Sequence, residues 1–388
     1  MGIRRLSVKR TEILDRIRRG LKRSRVVALL GPRQSGKTTL AREFVSPESE
    51  MYFDLEDPSI RRKLKDPMLA LRNLKGTIVL DEVQLAPELF SVLRVLADRT
   101  PLPARFLILG SATPALIKGA SESLAGRMET IPITGFGIAE AGIRNLGRLW
   151  LRGGFPRSFL ARSDSDSIEW RDDFIRTLLE RDLPQAGIGV SAPAMLRFWT
   201  MLAHWHGQIL NASEPARSLG VSEATTRRYL DYLEGMYMVR QVQPFHNNLA
   251  KRVVKHPRIY IRDSGLLHNL LGVTGKKALD GHPKVGASWE GFAFEEVLRL
   301  CRPDHAYFWR THHGAELDLL LLKRGKRVGV EFKLSSAPTL TQSMLIALKD
   351  LELPKIWVVH AGIHRFPMHE KVEAVPLADV AQGLDLFK

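Results

Sequence analysis

Apolar residues recur along the first third of the chain in two periods. In residues 1–24, Ile13, Leu14, Ile17 and Leu21 share one face and arginines the other, the pattern of an amphipathic helix. RVVALL (25–30), MYFDL (51–55), TIVLDE (77–82), RFLILG (105–110) and METIPI (128–133) are short apolar runs. GKTTLAREF and PELFSVLRVLADR (87–99) between them have helical spacing. Strands that are apolar on both faces and alternate with helices predict a parallel sheet covered on both sides. After GGFP (153–156) the pattern is helical from about 165 to 240. A mixed segment follows, then SWEGFAFEEVLRL as a helix, a hairpin over GAELDLLLLKRGKRVGVEFKLSS and a strand at IWVVHAG (356–362).

A chain of 388 residues exceeds one ordinary core, so several domains are expected. Cys301 is the single cysteine, which excludes an internal disulfide and a cysteine-based zinc site and suits a reducing cytoplasm. No apolar run reaches membrane-span length, and the basic N-terminus lacks the apolar core of a signal peptide. A cytoplasmic protein with no membrane part is the expectation. The formal charge of +16 predicts attraction to polyanions, with nucleic acid first and acidic membrane second.

The chemistry begins with GPRQSGKT (31–38), which follows an apolar strand and opens a helix. Gly31, Pro32, Arg33, Gln34, Ser35 and Gly36 form a loop whose amides can converge on phosphate oxygens. Lys37 reaches the β- and γ-phosphates, the Thr38 hydroxyl ligates Mg²⁺, and Thr39 follows in the helix. Asp81 ends an apolar strand, where α/β ligands bind, and is expected to hold Mg²⁺ through its water shell. Glu82 is placed to orient or deprotonate the attacking water. ATP with Mg²⁺ is the implied ligand.

LGSATP sets Ser111 beside the expected γ-phosphate, and this resembles the polar sensor of AAA+ ATPases. Arg127 precedes the last strand, where AAA+ proteins place an arginine finger; Arg181 in LLERDLP is a weaker candidate. A finger of that kind serves a neighbouring subunit, so the resemblance implies a homo-oligomer, with a hexamer among the options. With GGFP and ERDLP, the chain resembles bacterial and archaeal AAA+-type ATPases fused to a C-terminal domain of unknown function with a restriction-endonuclease-like fold. The resemblance implies an α/β protein with a P-loop sheet in order 5-1-4-3-2, a helical lid, a winged helix-turn-helix and a nuclease-like end. The corresponding limits are 1–150, 151–205, 206–280 and 281–388.

SEPARSLGVSEATTRRYLDYLEGMYMV (213–239) reads as a short helix ending at Gly220 and a second one capped by Ser222. This is helix-turn-helix spacing, with Thr225, Thr226, Arg227 and Arg228 where groove-reading side chains sit. Lys251, Arg252, Lys255 and Arg258 would contact phosphates. The alternative use of such a module is packing within its own chain.

In the C-terminal hairpin, an Arg324-Gly325 turn makes paired positions sum to 649. Asp318 then faces Glu331 and Glu316 faces Lys333, all on one sheet face, with Leu317, Leu319, Val330 and Phe332 on the other. Opposed carboxylates repel, and a divalent cation between them would relieve that. The D…ExK arrangement resembles the PD-(D/E)xK nuclease signature, with Glu290 as the helix glutamate and Glu295 second. Asp318, Glu331 and the Phe332 carbonyl, with Glu290 from the helix, would hold Mg²⁺ or Mn²⁺, and Lys333 would position water or stabilise developing charge. The bland reading is a Glu316–Lys333 ion pair with Glu331 solvated or paired to Arg310; His312 and His313 read as loop residues. Together these features predict an ATPase that couples nucleotide state to DNA binding or remodelling, with phosphodiester cleavage as a second activity. The rival is a signalling or assembly ATPase whose C-terminal domain is a protein-binding scaffold.

Overall fold

A computed structural model describes residues 8–111, 122–185, 187–245 and 256–388. Among these the chain forms two compact units, one up to Gly135 together with Gly235–Tyr237, the other formed by Phe136–Glu234 and Met238–Lys388.

The first unit is built on β1 (Val26–Gly31), β2 (Tyr52–Asp54), β3 (Gly76–Asp81), β4 (Ala104–Ser111) and β5 (Met128–Pro132). They form one parallel sheet in the order β2-β3-β4-β1-β5, the expected 5-1-4-3-2 read from the other edge. Alternation along the strands divides their side chains between two cores. Val26, Ala28, Leu30, Ile78, Leu80, Phe106 and Ile108 face the helix Leu89–Ala97. Val27, Leu29, Val79, Leu107 and Leu109 face Ile17 and Leu21 of the N-terminal helix Thr11–Arg23. Burial on both faces explains why these strands read as continuous apolar runs.

The second unit begins with helices that include Leu146–Arg152, Asp164–Thr177 and Ala192–His204. The GGFP turn has a steric reason. Gly153 has φ 77°, and a Cβ there would lie 2.1 Å from Asp263 Oδ1. The Asp263 carboxylate accepts hydrogen bonds from the amides of Gly154 (2.8 Å) and Leu266 (3.0 Å), tying the turn to a distant helix start. The helices Ser213–Leu219 and Glu223–Gly235 flank a turn at Gly220, which is left-handed with φ 68°. Next to them β6 (Gln208–Ile209), β7 (Val239–Val242) and β8 (Arg258–Ile261) form an antiparallel sheet in the order β6-β8-β7.

A second sheet holds β9 (His305–Arg310), β10 (Glu316–Lys323), β11 (Lys326–Lys333), β12 (Ile356–His360), β13 (Phe366–His369) and β14 (Val372–Pro376), in the order β13-β14-β12-β11-β10-β9. The hairpin turn is Arg324-Gly325, both with positive φ, and pairs from Leu319↔Val330 to Lys323↔Lys326 keep the sum of 649. Positive φ at both central residues gives the twist that suits a two-residue hairpin. One expectation fails. β10 shifts register against β9 between Leu317 and Leu320, so those two leucines enter the same core cluster and strict alternation ends at Asp318. A bulge inserts one residue and turns the following side chain to the other face.

Candidate functional site

The phosphate loop closes on itself through its own polar groups. Gln34 (φ 60°) and Gly36 (φ 91°) take left-handed conformations, the backbone alternation that turns successive amides toward one side. Gly31 must be glycine, because a Cβ would lie 1.8 Å from the Ile133 carbonyl oxygen. The Ser35 hydroxyl donates to Pro32 O at 2.8 Å. Lys37 is buried, and its Nζ donates to the carbonyls of Gly31 (3.0 Å) and Pro32 (2.8 Å). Thr38 is half-buried, Arg33 likewise, and Thr39 is exposed. Arg10, which no motif singles out, is buried and donates to the carbonyls of Ser35 (3.0 Å), Thr134 (3.1 Å) and Gly135 (3.4 Å). It fixes the loop to the segment after β5.

At the end of β3 the Asp81 carboxylate is buried and takes the Tyr52 hydroxyl at 2.7 Å and the Glu82 amide at 3.0 Å. Burial, with Asp81 beside it, pushes the Tyr52 hydroxyl well above its usual range, so it stays a donor. Glu82 has φ 56° and ψ 45°, a left-handed conformation that costs a non-glycine residue about 1–3 kcal/mol and concentrates at functional positions. Gln84, another residue without a motif, donates to the Glu82 carboxylate and lies 3.5 Å from Ser111 Oγ, while its Oε1 accepts the Ser111 amide at 3.2 Å. Ser111 pairs with Gly31 across β4 and β1. The loop, the acidic strand end and the polar serine therefore meet at the carboxyl ends of the strands, where α/β sheets bind ligands. The residues fit a nucleotide with Mg²⁺: Thr38 and Asp81 supply hard oxygens and Lys37 a positive charge.

Arg127 lies elsewhere. Its carbonyl accepts the Val26 amide at the opposite end of β1, and its guanidinium makes a two-pronged pair with Asp98 at 2.7 Å. Arg181 lies in the π-helical segment Leu178–Asp182.

In the helix Glu223–Gly235, Arg227 and Arg228 are exposed and Thr225 half-exposed. Arg227 pairs with Glu223 one turn earlier, at 2.7 Å. The expectation for Thr226 is corrected: it is fully buried and its hydroxyl donates to Ser222 O at 3.4 Å, so it cannot reach a groove. Lys251, Arg252 and Lys255 lie outside the described residues.

Glu290, Asp318, Glu331 and Lys333 do come together in the C-terminal part, around a cation of the chain itself. Arg258, expected on a phosphate, is buried; its Nη1 lies 3.0 Å from Asp318 Oδ1 and 3.6 Å from Glu290 Oε1, and its Nη2 lies 3.2 Å from Glu316 Oε2. Lys333 Nζ is 3.1 Å from Glu331 Oε2 and 4.0 Å from Asp318 Oδ2. Glu316 also lies 3.8 Å from Arg310, so the Glu316–Lys333 pair is not formed, and Glu331 is buried rather than solvated. Asp318 Oδ2 accepts the Phe332 amide at 3.1 Å, and Glu331 Oε1 accepts the Asp318 amide at 3.2 Å. Although burial opposes it, Arg258 and Lys333 hold the Asp318 carboxyl below its usual range. Burial and the Asp318 charge push Glu331 well up, and push Glu290 to about 8. These residues do not fit a resident metal: the oxygens of Asp318 and Glu331 are engaged, two cations already neutralise them, and no metal-holding group of three or more His, Cys, Asp or Glu occurs among the described residues. The described residues thus give no support to Glu290, Asp318 and Glu331 as metal ligands. Glu295, the second helix candidate, is bound by Arg240 (3.0 Å) and Arg262 (3.6 Å); against burial, they lower it to about 2. His312 and His313 are exposed.

Comparison with known proteins assigns these parts. Residues 23–142 match an AAA domain, 143–277 a domain of unknown function (DUF8612) and 285–380 another (DUF4143). An uncharacterized protein of Mycobacterium tuberculosis and one of Mycobacterium bovis are each 51% identical over 369 residues, covering 95% of this chain and 84% of theirs. Among solved structures, a Walker-type ATPase of Pyrococcus abyssi aligns at 15% identity and TM-score 0.47, over 69% of this chain and 97% of its own. The RuvB Holliday-junction branch-migration motor of Thermotoga maritima aligns at 17% and 0.30, over 61% and 90%. No helix among the described residues is long and apolar enough to cross a membrane.

Proposed function

The chain belongs to the family of these mycobacterial proteins and carries an AAA domain in its N-terminal third, and on that premise we propose that it hydrolyses ATP and couples nucleotide state to DNA contact. The observation that carries the reading is the meeting of the Lys37 loop, Asp81, Glu82 and Ser111 at one end of the sheet, with Gln84 bonded to both Glu82 and Ser111. Bound Mg²⁺ would offset charge on the transferring phosphate, with Thr38 and Asp81 to hold it. Lys37, released from neutral carbonyls, would bind the β- and γ-phosphate oxygens. Glu82 would hold the attacking water and accept its proton, while Gln84 keeps the Glu82 carboxylate and the Ser111 amide in register.

DNA contact is supported by the exposed Arg227 and Arg228 on the second helix of the helix-turn-helix, beside the antiparallel β7–β8 pair in wing position, and by the charge of +16. Arg127 would serve a neighbouring subunit. It sits at the far end of a six-residue strand from the phosphate loop, about 17 Å away at strand rise, so its own nucleotide is out of reach. Phosphodiester cleavage is left out of this reading, because the D…ExK carboxylates are engaged by Arg258 and Lys333.

The test is phosphate release by the full chain with and without duplex or single-stranded DNA, at graded salt. Stimulation by DNA that fades steeply as salt rises supports the coupling. Hydrolysis unaffected by DNA, with no retention of either strand form at low salt, would overturn it. ATP-driven oligomerisation without any DNA effect would favour the assembly ATPase instead.

A further inference from the structure

The four carboxylates at the D…ExK face come from the helix Val285–Cys301 and the β10–β11 hairpin, whereas the guanidinium that meets three of them comes from neither. Arg258 opens β8 in the sheet beside the helix-turn-helix, and its side chain is 5% exposed. Its guanidinium also lies over the Phe308 ring of β9, 5.1 Å from the centroid. The β7–β8 pair is bound to the C-terminal part at further points. Phe245 donates its amide to Phe308 O at 2.7 Å, and Phe308 donates to Gln243 O at 3.2 Å, so the end of β7 runs along the β9 edge. Arg240 and Arg262, on and just after the hairpin strands, bind Glu295. Each of these arginines meets a carboxylate of the C-terminal part.

A divalent ion at this face would need the Asp318 oxygen that Arg258 takes, and would sit between two cations. The buried carboxylates therefore already have the positive charge they require, supplied by a strand of another sheet. We infer that Arg258 is the resident cation of the D…ExK face in place of a metal, and that the face is a latch joining the β7–β8 pair to the C-terminal sheet.

The experiment uses nucleotide-free full chain and Mn²⁺ alone, with bound ion read by electron paramagnetic resonance. Wild type and Asp318→Asn should take up Mn²⁺ equally. Arg258→Ala should gain a site, and Arg258→Ala/Asp318→Asn should lose it again. Hydrogen exchange at the Phe245 and Phe308 amides should accelerate in Asp318→Asn, since the latch loses a charge. Mn²⁺ uptake by wild type that Asp318→Asn abolishes would overturn the inference, as would a folded Arg258→Ala that gains no site. Unchanged exchange in Asp318→Asn would overturn the latch. If Arg258→Ala does not fold, the wild-type and Asp318→Asn measurements still decide whether a metal is present.

Discussion

Lys37 and Arg258 are both buried cations, and the groups around them differ in one respect. Lys37 donates to two peptide carbonyls, neutral dipoles that stabilise the ammonium. Arg258 rests on the Asp318 and Glu316 carboxylates, which cancel it and are cancelled in turn, with the Glu290 carboxyl 3.6 Å away. A cation held by dipoles can still attract an anion; one held by carboxylates has become part of the packing. The same residue inventory, acids near a basic side chain at strand ends, thus yields a phosphate site in one sheet and an internal ion-pair network in the other.

That difference can be tested from its strongest consequence downward. Lys37→Ala should lower phosphate release at least about 100-fold, the scale of losing a charge aimed at the transition state, with unfolding by denaturant little changed. Glu82→Gln should still bind a fluorescent ATP analogue while hydrolysing about 100-fold more slowly, and Gln84→Ala should show a weaker form of the same phenotype. A wild-type rate in Glu82→Gln would remove it from the base role. Arg258→Ala should reverse the pattern: a loss of about 3–5 kcal/mol in urea unfolding, from buried carboxylates left uncompensated.

Two glutamates of one helix should give opposite pH signatures. Glu295, lowered to about 2, adds stability above its ordinary range near 4.5 that is lost as pH falls toward 2. Glu290, raised to about 8, keeps its proton in the folded chain, so its contribution declines as pH rises from about 4.5 to 8. Urea midpoints of Glu290→Gln and Glu295→Gln from about pH 2 to about pH 8 separate the two: the first should flatten the decline, the second the acid loss. The smallest effect concerns DNA. Arg227→Ala and Arg228→Ala should each reduce the salt slope of duplex binding by about one unit, while Thr226→Ser leaves it unchanged.

The phosphate loop was legible because its parts are contiguous: a strand end, a short loop and a helix start within GPRQSGKT each carry local signals. The hairpin register was legible for a similar reason, since the Arg324-Gly325 turn and a period of two suffice to pair Leu319 with Val330. The bulge at Asp318 was not, because it depends on how β9 pairs with β10 rather than on the hairpin alone. Arg10, Tyr52 and Gln84 carry no motif; they matter only through the chain segments that folding brings beside them.

The sequence by itself determined the order of elements, the apolar strands that both faces of a parallel sheet require, and the phosphate loop with its acidic strand end. Local sterics and periodicity suffice for those. Tertiary structure alone decided what the D…ExK residues hold. Arg258 lies 60 residues from Asp318 and 58 from Glu316, and a strand that reads as a basic edge for nucleic acid turns inward to neutralise buried carboxylates. No spacing rule records that pairing, because charge compensation acts on distance in space and not along the chain.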